Sequence, residues 1–162
     1  MLTLHELTQP EFDEWFMLST KRQAEDRAQV SGRSVADERK DLDAMIPHLL
    51  PEGKDSAGHV FRLARDGAGR AVAFVWFGQL PGVSESQRFL FDIYVVPEAR
   101  RRGFGRDVLR AMMLQLSKEG VRQVALNVLD TNEGAIALYN DLGFRIAKRD
   151  ESQKNLEMVL AL

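Results

Sequence analysis

Six consecutive residues, Arg100-Arg101-Arg102-Gly103-Phe104-Gly105, combine positive charge with missing side chains where an apolar strand pattern gives way to a helical one. A helix N-terminus presents unpaired N–H groups and the positive end of the helix dipole, so it suits a phosphate. Glycines at 103 and 105 remove the Cβ atoms that would hold a bulky diphosphate away from those amides. The arginines add charge at the same spot, and the stretch reads as an anion cradle. Arginines alone would equally suit a solvated turn or a nucleic-acid contact; the glycines and the strand-to-helix setting favour phosphate. A second chemical signal lies just upstream. Asp92 is a carboxylate inside the otherwise apolar run Phe89-Leu-Phe-Asp-Ile-Tyr-Val-Val96, where burial without a partner or a task is costly. Burial raises a carboxyl's proton affinity toward a range useful in a base or proton relay. The plainer alternatives are that Asp92 points outward or pairs with a buried Arg or His.

These residues need a strand, a turn and a helix to position them, and the pattern supplies all three. The aromatic and β-branched run from Phe89 to Val96 is a strand stopped by Pro97. Beyond Gly103, the spacing of Phe104, Val108, Leu109, Met112, Met113 and Leu116 gives one face of a helix, and Gly120 ends it. Val121 to Val128 is the next strand, with Val124, Leu126 and Val128 on one face and Ala125 and Asn127 on the other. Strand, crossover helix and strand make a βαβ unit, so these two strands should run parallel. Asn132 should cap a helix reaching Leu142, with Gly143 as its stop. Phe144 to Ala147 and Leu156 to Leu160 read as two closing strands.

Upstream, Leu2 to Glu6 alternates as a short strand. Pro10 opens a helix to about Val30 that carries Phe12, Trp15 and Phe16, with a charged and solvated stretch from Lys21 to Arg27. Ser31-Gly32 breaks it, and Ser34 begins a second helix lined by Leu42, Met45, Ile46 and Leu49, which Pro47 should kink or shorten. His59 to Arg65 and Arg70 to Phe77 flank the turn signal Asp66-Gly-Ala-Gly69, and the denser apolar content of the latter marks a central strand. The expected fold class is α/β with a mixed sheet. At 162 residues the chain is expected to form a single domain, residues 1–162.

Composition narrows the function classes. Lys plus Arg at 22 against Asp plus Glu at 24 leaves a net charge of −2, which gives no general pull toward nucleic acid or anionic membrane. Without cysteine there is no disulfide, thiolate metal site or acyl-cysteine intermediate, and no metal is expected. No apolar run approaches the ~20 residues of a membrane span, and the N-terminus lacks a signal-peptide layout, so a cytoplasmic protein is the expectation.

Val95, Pro97, Arg100, Gly103 and Gly105 together spell V-x-P-x-x-R-x-x-G-x-G, which resembles the acyl-CoA signature of the GNAT family, the GCN5-related N-acetyltransferases. Asn132-Glu-Gly-Ala-Ile-Ala-Leu-Tyr139-Asn-Asp-Leu-Gly143-Phe144 resembles that family's N-x-x-A-x-x-L-Y-x-x-x-G-F helix. The resemblance implies the acyl-CoA N-acyltransferase fold: a mostly antiparallel sheet with about four helices, whose central parallel strands splay apart to admit acetyl-CoA. It implies a cofactor site of Ile93, Tyr94 and Val95, through their main chain, with Arg100, Arg101, Arg102, Gly103, Phe104 and Gly105 on the phosphates. Asn132 would add a contact.

Tyr139 would be the catalytic acid for the leaving thiolate, since a phenol and an alkyl thiol have similar proton affinities; alternatively it is packed beside Ala135, Ile136 and Leu142. Asp92 is the preferred base, His59 and Glu85 are weaker candidates, and ordered water suffices in some members. Asn127 faces either the cleft or solvent. Trp15, Phe16, Trp76 and Phe77 are core or acceptor-pocket wall, and Glu25, Asp26 and Glu38 are weak candidates for attracting a cationic amine. The acceptor is a small-molecule or protein amine, with no nucleic acid or membrane partner. Homodimerisation through the sheet edge or C-terminal strands, here Leu156 to Leu162, is implied as an option. The rival reading is an acyl-CoA-binding sensor without turnover.

Overall fold

A computed structural model describes residues 1–162. In chain order the elements are β1 (Thr3–His5), α1 (Gln9–Ser31), α2 (Val35–Leu49), β2 (His59–Arg65), β3 (Ala71–Gly78), β4 (Gln87–Val95), α3 (Phe104–Lys118), β5 (Gln123–Leu129), α4 (Glu133–Asp141), β6 (Arg145–Asp150) and β7 (Asn155–Ala161). They fall into two compact units, Met1–Glu6 with Val60–Leu162, and Leu7–His59.

The larger unit is built on a seven-stranded sheet in the order β1-β2-β3-β4-β5-β7-β6. β4 and β5 are parallel, as the crossover through α3 requires. β3–β4, β5–β7 and β6–β7 are antiparallel. Every residue of β3 from Val72 to Gly78 is buried, so the apolar density of that segment does mark a strand covered on both faces. α3 buries Val108, Leu109, Met112, Met113 and Leu116, the stripe its spacing requires, while Leu114 off that stripe is exposed. Each such side chain contributes roughly 1.5–3 kcal/mol on burial. This stripe fixes α3, and hence the turn before it, against the sheet.

The C-terminal strand is not an edge. β7 lies between β5 and β6, with both of its edges paired, so the free edges of the sheet belong to β1 and β6. Edge pairing by Leu156 to Leu162 is therefore closed. β6 is almost wholly exposed and carries Arg145, Lys148 and Arg149, charges that discourage strand addition.

The smaller unit is the helix pair α1 and α2. Thr8 and Glu11 form a reciprocal capping box: the Glu11 carboxylate accepts from the Thr8 N–H at 2.9 Å, and the Glu11 N–H donates to the Thr8 hydroxyl at 3.3 Å. Phe12 stacks on Phe16 with centroids 4.9 Å apart, and Trp15 is buried. Gly32 ends α1 at φ +72, and Ser34 caps α2. α2 departs from expectation in two ways. It runs past Pro47 to Leu49: the missing N–H deletes one bond close to the helix end, and Leu50 N–H closes the last turn on Ile46 C=O at 2.7 Å. Met45, expected on the apolar face, is 42% exposed, and Leu42 and Leu50 are the buried residues there.

The β2–β3 turn depends on one carboxylate. Asp66 accepts from the Ala68 and Arg70 N–H groups at 3.0 Å each, and from the Arg70 guanidinium at 2.7 and 2.9 Å. These bonds, those from the Arg70 side chain first, hold the Asp66 carboxyl below its ordinary value. A lowered folded-state value contributes stability that is present above the unfolded-state value and is lost as pH falls through the folded one. Asp66→Asn should therefore have a lower Tm than wild type at neutral pH. The difference should close in strong acid, as thermal melts across pH would register.

Candidate active site

β4 is held on one side by β3 from Gly78↔Phe89 to Ala73↔Val95. On the other side its ladder with β5 begins at Gln87↔Gln123 and ends at Leu90↔Leu126. β5 continues to pair with β7 as far as Leu129↔Asn155. Past Leu90 and Leu126, each strand keeps its outer partner and loses its inner one. The parallel pair is open at its C-terminal end.

A bulge accompanies the opening. The β3–β4 register passes from Phe77↔Leu90 to Trp76↔Asp92, leaving Phe91 as the extra residue. Leu90, Ile93 and Val95 pack into the core that includes Val108, Leu109 and Met112. Phe91 stacks on Trp76 at 4.3 Å and meets Phe89 edge-on at 5.0 Å, and Asp92 lies opposite Trp76. Strict alternation would turn Asp92 into the α3 core; the extra residue keeps it on the aromatic face with Phe91. Asp92 is half-buried there.

Hydrogen-bond phase then decides which main-chain groups face the opening. Val96 N–H donates to Val72 C=O at 3.0 Å, so Val96, Tyr94 and Asp92 bond toward β3. The N–H and C=O groups of Ile93 and Val95 point the other way, into the gap. Consistent with this phase, the Val95 carbonyl accepts from Arg100 Nε at 3.0 Å. The main chain of Tyr94, expected among the free groups, is committed to β3. Its ring carries the Arg100 guanidinium at 5.6 Å instead.

The turn beyond β4 is bent by left-handed residues. Arg101 has φ +61 and Gly103, the N-cap of α3, has φ +85. The two glycines do different work. A Cβ built on Gly103 meets nothing within 4 Å and would project into open space, where an anion approaching the helix terminus would sit. A Cβ on Gly105 would meet Val95 and Leu138 at 3.6 Å, in protein packing rather than in the cradle. Gly105 thus faces the end of β4 and α4 rather than an anion. Arg106 Nη2 ties the first turn of α3 to Asp141 of α4 at 2.5 Å. Arg100, Arg101 and Arg102 are exposed, and Arg102 lies over the Phe104 ring at 5.1 Å.

On α4, Asn132 accepts from Ala135 N–H at 3.2 Å and caps the helix as expected. Tyr139 is 8% exposed and packs edge-on against Phe144 at 5.7 Å. The neighbouring Leu138 is the α4 residue that abuts Gly105.

The other candidates take several positions. Glu85 precedes β4, seven residues and roughly 20 Å of extended chain from Asp92, at the end where the strands are paired. His59 opens β2 and is half-buried. Asn127 is exposed on β5 just past the last β4–β5 pair. Trp76 and Phe77 are buried in β3. Glu38, 5% exposed, accepts from the Ser31 hydroxyl at 2.7 Å and from Arg33 at 3.3 Å, so it stitches the α1–α2 corner instead of presenting charge. Glu25 and Asp26 are exposed on α1.

An open parallel strand pair is thus followed by a glycine- and arginine-rich turn that starts the crossover helix. The Acetyltransferase (GNAT) family model matches residues 4–144, and the chain belongs to that family of acyltransferase enzymes. It is 21% identical over 142 residues to the uncharacterized N-acetyltransferase YdgE of Bacillus subtilis, covering 88% of this chain and 90% of that one. The crystal structure of the acetyltransferase YycN from Bacillus subtilis superposes with a TM-score of 0.84 at 21% identity, over 93% of this chain and 96% of that one. The paia N-acetyltransferase of Thermoplasma acidophilum, solved with coenzyme A, superposes with a TM-score of 0.70 at 14% identity, over 100% and 99%. At these identities the structures establish the fold.

The contrast between the glycines is testable by calorimetric melting. Gly105→Ala meets only ordinary contacts and should leave Tm unchanged or raise it, by up to about 1 kcal/mol of helix propensity. Gly103→Ala must adopt a left-handed φ and should destabilise by roughly 1–2 kcal/mol.

Proposed function

We propose that the chain, acting as one domain, transfers the acetyl group of acetyl-CoA directly to a primary amine while both substrates are bound. The observation that carries this reading is the end of the β4–β5 ladder at Leu90↔Leu126, with the Ile93 and Val95 main-chain groups turned into the gap. Those groups match the amides of a pantetheine arm laid alongside β4 in place of the missing strand. Gly103, with open space over its Cα, and the N-terminus of α3 accommodate the diphosphate. Arg101 and Arg102 add charge, Arg100 bonds the Val95 carbonyl at the gap, and Phe104 and Asn132 would add contacts to the cofactor. When bound, acetyl-CoA supplies a thioester whose carbonyl carbon accepts the amine nitrogen as its C–S bond breaks.

The chain's own groups manage the protons. Asp92, on the aromatic face, takes the proton that the attacking ammonium must lose, directly or through one water. Tyr139 gives its hydroxyl proton to the departing sulfur, and the two residues then exchange protons with solvent to restore their starting states. The position of Tyr139 on α4, beside the Leu138 that abuts Gly105, supports this role. Absence of cysteine supports direct attack over an acyl-enzyme.

Tyr139→Phe separates chemistry from binding. Free-thiol release should fall by about 10²-fold or more, while coenzyme A affinity by calorimetry stays as in wild type. An undiminished rate would remove Tyr139 as the acid. A lost affinity would recast it as a packing residue.

A further inference from the structure

Two residues outside the expected site join the two helices that border it. Arg106 is the third residue of α3, and its Nη2 donates to the carboxylate of Asp141, the last residue of α4, at 2.5 Å. On its own helix each charge is badly placed, since a cation in a first turn and an anion in a last turn both oppose the helix dipole. Across the pair the signs are right. Asp141 lies against the positive end of α3, and Arg106 against the negative end of α4.

Stability alone is a poor account of this pair. Both side chains are exposed, at 43% and 59%, where an ion pair contributes little. Arg106 Nε is buried without a hydrogen-bond partner, so the guanidinium forgoes the two-bond fork of a strong carboxylate contact. Placement is the better account. α4 has nine residues, of which Tyr139 is the buried one, and a helix that short takes its seat from tertiary contacts. Leu138 and Asp141 are neighbours on one side of α4, and they meet the successive residues Gly105 and Arg106 of α3. Two contacts a turn apart fix both the rotation of α4 about its axis and its position along it. Tyr139 lies between them in sequence and packs on Phe144.

We infer that Arg106 and Asp141 are positioning residues, which hold Tyr139 in register with the diphosphate cradle at the start of α3. This rests on the acetyltransferase reading above.

Thiol release from saturating acetyl-CoA is measured with spermidine, glucosamine and an alanyl peptide, and the best of these amines is carried to the variants. An exposed ion pair biases the seat of a helix only about fivefold, so Asp141→Asn should lower kcat by about three- to fivefold. Its Kd for coenzyme A by calorimetry should stay the same or fall, because a negative charge has left the neighbourhood of an anion site. That split separates positioning from a structural role, which would move Tm and leave kcat unchanged. Arg106→Gln, the second variant should Asp141→Asn melt early, should lose kcat by the same factor. The double variant should lose no more than either alone. Asp141→Glu keeps the carboxylate and should recover most of the rate.

An unchanged kcat in both single variants, or losses that multiply in the double variant, would overturn the inference and leave the acetyltransferase reading standing. Weakened coenzyme A affinity in Asp141→Asn with kcat intact would do the same and assign the pair to the cofactor cradle. No thiol release from the wild type with any of the amines would count against both.

Discussion

The site depends on one extra residue. Phe91 is the bulge of β4, and Leu90 just before it is the last residue that β4 shares with β5. A bulge bends its strand and increases the local twist, so β4 turns away from a parallel neighbour that stays paired with β7. The wedge that results exposes main-chain donors and acceptors in the middle of a sheet, an arrangement that is unfavourable unless something polar fills it. The Arg100 bond to the Val95 carbonyl satisfies one of these groups within the chain. The others are the physical reason to expect an amide-bearing ligand there.

The same residue sets the chemistry on both faces of β4. Before the bulge Leu90 faces the α3 core, and after it Ile93 and Val95 do, so the core side stays apolar throughout. On the opposite side Phe91 and Asp92 fall together, which places a carboxylate among rings rather than inside the helix-packed core. The proposed acid and base thus come from different elements, Tyr139 from α4 and Asp92 from β4. Gly105 sits where the first turn of α3 meets the end of β4 and α4.

Much of this was legible in the residues. The strand–turn–helix from Phe89 to Leu116, the parallel crossover, the buried β3 and the Asn132 cap all follow from local pattern, because each depends on neighbours in sequence. The bulge did not, since Phe-Leu-Phe-Asp-Ile-Tyr-Val reads equally well as an unbroken strand and only its register with Trp76 and Phe77 reveals the extra residue. The surroundings of Gly105 were also hidden: it faces Leu138 and Val95, neighbours set by tertiary packing. β7 entered the sheet between β5 and β6, an order that a closing β6–β7 hairpin does not dictate. One signal was present and unread, Thr8-x-x-Glu11, whose spacing spells the capping box that starts α1.

The central claim is that Ile93 and Val95, and not Tyr94, offer their main chain to the ligand. Residue-resolved amide hydrogen exchange, with and without saturating coenzyme A, tests it directly. The Tyr94 amide, bonded to β3, should be protected in both states. The Ile93 and Val95 amides should exchange readily in the free protein and slow markedly when coenzyme A is added. Ile93 and Val95 amides already as protected as that of Tyr94, or unchanged by bound coenzyme A, would contradict the account.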